Sequence, residues 1–170
     1  MRLTFGPDDD TQFHSAKTAL LARFETWLSA GDHRLASAGE VAATAGDAGL
    51  ALDWKWGYAA GDLGRWTTAD VGEFLLEWCP RKVSMPPEDS AAIPVALAAF
   101  MAFLHDEALL SPGSSPPADL ISETVNLADA FIDAMGDASN FGMAKSLFAS
   151  AAAGGVDMTD PDEVDRWIAQ

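Results

Sequence analysis

The chain carries a single cysteine, Cys79. No internal disulfide can form, and a reducing, cytoplasmic compartment is expected. Basic residues are scarce: 10 Lys and Arg face 26 Asp and Glu, a formal net charge of −16. A charge of that size and sign repels nucleic-acid phosphates and anionic membrane surfaces, so neither is an expected partner. The imbalance is concentrated in residues 86–170, which hold 14 acidic residues against Lys145 and Arg166, net −12; residues 1–85 stand at net −4. No apolar run approaches the roughly 18 residues of a membrane span. The opening "MRLTFGPDDD" lacks the apolar core of a secretory leader.

Catalytic signatures are missing as well. The histidines are His14, His33 and His105, and none has a second His or Cys at a metal-ligand spacing. "HDE" at 105–107 puts its three polar groups on successive positions, which point in different directions around a helix. There is no GxGxxG fingerprint, no GxxxxGK(S/T) loop and no GxSxG elbow. Cys79 follows the end of a helix, where the macrodipole disfavours a thiolate, so packing is the expected role of its side chain. No cofactor and no metal is expected, and no residue is marked as catalytic.

What remains is ample material for a core. At 170 residues and 49% hydrophobic content, one domain can bury about 70% of the surface its unfolded chain exposes. Apolar residues recur at helical spacing along most of the chain. Phe13, Leu20, Phe24, Trp27 and Leu28 share one side of a helix over about 10–29, with "DDD" at its start and Gly31 as a stop. Ser37 and Glu40 have capping-box spacing and open a short helix ending near Gly46. Residues 48–58 fit strand or helix spacing, and helix is favoured because no partner strand lies nearby. Thr67 and Asp70 cap a helix whose stripe is Val71, Phe74, Leu75 and Trp78, and which Pro80 is expected to end, with Arg81 and Lys82 beside its last carbonyls.

"PPEDSAA" opens a further helical segment, and Pro94 starts a fresh helix bearing Leu97, Phe100, Met101 and Leu104. "SPGSSPPA", residues 111–118, has the composition of a flexible linker between two helical subregions. "DLISETVNLADAFIDAMGD" is one amphipathic helix over 119–137, with Leu120, Ile121, Val125, Leu127, Phe131, Ile132 and Met135 on one arc. Asp119, Glu123, Asp129, Asp133 and Asp137 fill the opposite arc with no basic residue among them. Ser139 caps a helix running to Gly154-Gly155, and Asp160, Pro161 and Glu163 start a last one, inside which the chain ends. The expected fold is all-α: residues 1–170 as a single-domain bundle of seven or eight helices.

The densest feature is "DWKWGYAAGDLGRW" at 53–66. Trp54, Trp56, Tyr58 and Trp66 form either a ligand platform or the inside of the bundle. Core packing is the favoured reading, because large rings beside helix starts and stops close gaps between helices. An aromatic pocket for a small molecule, with or without enzymatic activity, stands as the alternative. A nucleic-acid-binding domain is a third reading. Ala42, Gly46 and Leu52 fall where helix-turn-helix units place a small residue, a turn glycine and a core aliphatic. Against it, "AGLALDWKW" offers a recognition helix one lysine only. The leading expectation is a non-enzymatic interaction module whose acidic 119–137 face meets a basic protein.

Two resemblances add context. "LALDWKWGYAAGDLGRWTTADVGEFLLEWCPRK" and "MGDASNFGMAKSLF" resemble stretches of uncharacterised proteins of high-GC actinobacteria, over residues from about 50 to 150. That family implies no activity. "FETWL", "DVGEFLLEWCPRK" and "IPVALAAFMAFLHDEALL" resemble in layout the SAM-like core-binding domain that precedes tyrosine-recombinase catalytic domains. This implies a helical bundle. The basic helices and the catalytic set of that family are not matched here.

Overall fold

The computed structural model describes residues 1–30, 37–143, 145–146, 150 and 154–155. The architecture is all-α, with six helices among the described residues rather than seven or eight. They are α1 (Asp10–Ala30), α2 (Ala38–Gly57), α3 (68–82), α4 (Pro87–Asp106, jointed at Ala91), α5 (Pro117–Asn126) and α6 (Ala128–Gly136). The helix expected after Ser139 falls largely, and the one from Asp160 entirely, outside the described residues.

Within the described residues, helix boundaries differ from the expected ones for local reasons. Gly46 does not end a helix: α2 runs unbroken from its Ser37 cap, whose Oγ accepts from the Glu40 N–H at 3.2 Å, to Gly57. Buried Val41, Ala45, Ala48, Ala51 and Leu52 hold both sides of Gly46 in one helix. Packing thereby outweighs the glycine's cost of about 1 kcal/mol. With no turn at Gly46, the helix-turn-helix spacing of Ala42, Gly46 and Leu52 has no structural counterpart.

Pro80 does not end α3 either. That helix begins as Thr68–Gly72, widens into a π turn over Glu73–Trp78 and continues as Cys79–Lys82. The Cys79 N–H donates to the Phe74 carbonyl, five residues back. A regular helix would set the Pro80 ring against the Leu76 carbonyl and leave that carbonyl without a donor. The wider turn immediately before Pro80 is where the helix absorbs this conflict. In α4, Pro94 lies in the first turn after the joint at Ala91, where its missing N–H costs nothing.

The long amphipathic helix expected over 119–137 is two helices. The break sits at Leu127 (φ −88°, ψ −5°), and Val125, expected on the apolar arc, is exposed. Leu120, Thr124, Phe131 and Met135 are the residues that face inward.

α2 and α4 are the middle of the bundle. α1 lies on α2, α2 on α4, and α4 packs most extensively against α5; α6 sits against the end of α3 and the start of α4. The centre is aromatic, with Phe24, Phe100 and Phe103 mutually 5.2–5.7 Å apart. Half of α4 is buried, which accounts for a composition apolar enough, by length and hydropathy alone, for a membrane helix.

Segment 111–118, expected as a flexible linker, is pinned to the loop before α3. The Ser111 N–H donates to the Gly64 carbonyl and the Ser115 N–H to the Trp66 carbonyl, both at 2.8 Å, and the Ser111 hydroxyl donates to Asp62. The helices on either side of it share one core. No strand occurs among the described residues, only an isolated bridge between Thr4 and Asp62. Gly61 beside it has φ +70°, and an added Cβ would run into the Phe5 carbonyl oxygen.

Candidate functional site

The aromatic stretch divides three ways. Trp54 and Trp66 go inside, 6.0 Å apart, and the Trp66 indole N–H donates to the Leu63 carbonyl at 3.0 Å. Between them comes the ammonium of Lys55, 5.3 Å from one ring centroid and 4.8 Å from the other. Lys55 is only 2% exposed, and its charge is met by Asp70 at 2.9 Å. Asp70 also accepts from the Thr67 N–H at 2.7 Å and the Thr67 hydroxyl at 3.0 Å, which completes the capping box of α3. A buried lysine needs such company. Lys55, Asp70 and the two indoles thus fasten α2 to the start of α3.

Trp56 points elsewhere. It stacks on Phe13 at 4.3 Å with 13° between planes, and its indole N–H donates to the Gly6 carbonyl at 3.1 Å. Its work is to hold the N-terminal segment and α1 on α2. Tyr58 is on the surface, 58% exposed, with its ring 5.8 Å from Trp78. The structure therefore does not bring Trp54, Trp56, Tyr58 and Trp66 together as walls of one pocket.

A cleft of 230 Å³ does open beside part of this group. Trp54, Tyr58 and Trp78 are its aromatic lining. Trp78 stacks on Phe74 at 5.6 Å, and its indole nitrogen is buried with no hydrogen-bond partner among the described residues. The charged lining comes from α3: Glu73, Glu77, Arg81 and Lys82. Lys82 leans over the Tyr58 ring at 5.6 Å. The sequence reading assigned Arg81 and Lys82 to the helix end and Trp78 to the apolar stripe. Glu73, Glu77 and Arg81 at every fourth position were the available signal of a charged helix side.

The five carboxylates of the acidic set are all on α5, α6 and the turn after them. Asp119, Asp129, Asp133 and Asp137 are exposed and Glu123 is half-buried. None has a cation in ion-pair range among the described residues. The break at Leu127 divides the set into Asp119 and Glu123 on one helix and Asp129 and Asp133 on the next. Asp137 caps the following short turn. The Ser139 N–H donates to it at 2.9 Å, and that bond holds its carboxyl below the usual range.

Most described cations are already engaged. Arg2 pairs with Asp9 at 2.6 Å, Lys17 with Asp53 at 2.6 Å and Arg23 with Glu107 at 2.5 Å. Lys145 is buried, donates to the Pro80 carbonyl at 3.0 Å and lies 4.1 Å from the Phe141 ring centroid. Burial pushes its pKa down and pushes that of neighbouring Cys79 up, Lys145 partly opposing the latter. A buried thiol held protonated in this way is packing material rather than a nucleophile. His14 and His105 are exposed, and no cluster of three potential metal ligands occurs among the described residues.

No known protein family, curated protein or solved structure matches the chain.

Proposed function

We propose that this protein is a non-enzymatic helical interaction module that docks a basic protein through the acidic side of α5 and α6. One observation carries the reading. Ion pairs engage the cations of α1 and α2, while Asp119, Asp129, Asp133 and Asp137 are exposed and Glu123 half-buried on α5, α6 and the turn after them, none with a cation in ion-pair range among the described residues. A surface of that kind raises the encounter rate with a positive partner and gains most at low ionic strength.

The test separates a located surface from mere net charge. One variant carries D119N, E123Q, D129N and D133N; the other carries D8N, D10N, E88Q and D89N, so the two have equal net charge. Each is titrated calorimetrically with a lysine-rich peptide at several salt concentrations. The reading predicts that the first variant loses affinity and salt dependence while the second binds like the parent. Equal losses in both would reduce the effect to bulk charge and remove the proposed surface.

A further inference from the structure

The cleft between the end of α2 and the π turn of α3 contains an unusual charge arrangement. Its lining carries two carboxylates, Glu73 and Glu77, and two cations, Arg81 and Lys82. None of these four pairs with another, although ion pairs elsewhere among the described residues close to 2.5–3.4 Å. Glu77 and Arg81 are four residues apart, the spacing at which α-helical pairs normally meet. The interval runs out of the π turn, which ends at Trp78, so the two side chains need not lie above one another as they would on a regular helix. The net charge of the lining is zero in a chain of net charge −16. Two rings, Tyr58 and Trp78, supply the apolar lining, 5.8 Å apart.

We propose that this cleft binds a small zwitterion, a free amino acid, with its ammonium against Glu73 and Glu77 and its carboxylate against Arg81 and Lys82. The body of the ligand lies on Tyr58 and Trp78. A lone cation would meet Arg81 and Lys82 and a lone anion Glu73 and Glu77, so only a molecule bearing both charges suits all four groups. A volume of 230 Å³ is below the roughly 300–1,000 Å³ of sites for larger ligands. A peptide terminus presents one of the two charges and is not accommodated in the same way. The proposal goes beyond the docking of a basic protein: it uses α2 and α3 and no residue of the acidic set, so either can fail alone.

The experiment uses the full chain and free L-amino acids, added one at a time up to about 10 mM and followed by calorimetry and tryptophan fluorescence. At least one is expected to bind saturably, with its N-acetyl and amide derivatives weaker by about 10-fold or more. The paired variants E73Q/E77Q and R81Q/K82Q alter exposed side chains, and their folding is verified by circular dichroism. Each is expected to weaken the zwitterion by about 10-fold; the first spares the residual binding of the amide less than that of the N-acetyl form, and the second does the reverse. Absence of saturable binding by every amino acid would overturn the proposal. So would equal binding of the capped derivatives, or affinity unchanged in both folded variants.

Discussion

Lys55 spends its charge inside the protein. Its ammonium sits against Trp54 and Trp66 and pairs with Asp70, itself tied to Thr67. Replacing Lys55 by Ala empties a packed site and strands a largely buried carboxylate. The expected cost is roughly 3 kcal/mol, at the low end for a broken buried pair because Asp70 keeps its Thr67 hydrogen bonds. Urea unfolding of K55A against the parent measures it. Asp47 behaves in the opposite sense. Burial raises its pKa above the ordinary aspartate value of 3.8, so the folded state disfavours its ionised form. The penalty is present at neutral pH and disappears below the unfolded pKa, where both states are protonated. D47N is therefore expected to raise the melting temperature at pH 7 and to match the parent near pH 3. Of these contacts, the capping pair of Thr67 and Asp70 is readable from three-residue spacing, since it is made within four residues. The Lys55 cage is not, because it exists only once α2 and α3 meet.

At the scale of elements, start signals proved more local than stop signals. Ser37 and Thr67 cap the helices expected of them, because an N-cap needs only the next turn. T67A is expected to destabilise the protein by about 1 kcal/mol, with T67S close to the parent, as read by thermal melting. Gly46 and Pro80 were stops on local grounds, yet both lie within continuing helix, where buried neighbours on either side set the outcome. The break at Leu127 has no glycine or proline to announce it. Just before it Thr124 is buried and Val125 exposed, on a helix that packs against α3 and α4, so the inward face differs from the arc expected of one continuous helix. The π turn was equally hidden, although the proline that follows it was in plain view. The charged lining of the cleft lies on that turn and just after it; the four-residue spacing of Glu73, Glu77 and Arg81 was legible, but their place beside Tyr58 and Trp78 was not.

For the whole molecule, the aromatic question has a divided answer. Trp54, Trp66 and most of Trp56 are committed to joining helices, while Tyr58 and Trp78 border a small cleft. The carboxylates of α5, α6 and the turn after them have no ion-pair partner among the described residues. The fold class was visible in the apolar periodicity, and the acidic set in the arc opposite it. How that set divides across a helix break was not. The most direct measurement is hydrogen exchange of the full chain with and without a saturating lysine-rich peptide at low salt. The account predicts added protection concentrated in residues 117–137, fading as salt is raised. Protection spread evenly over the chain, or centred on α1 and α2 with 117–137 unchanged, would contradict it.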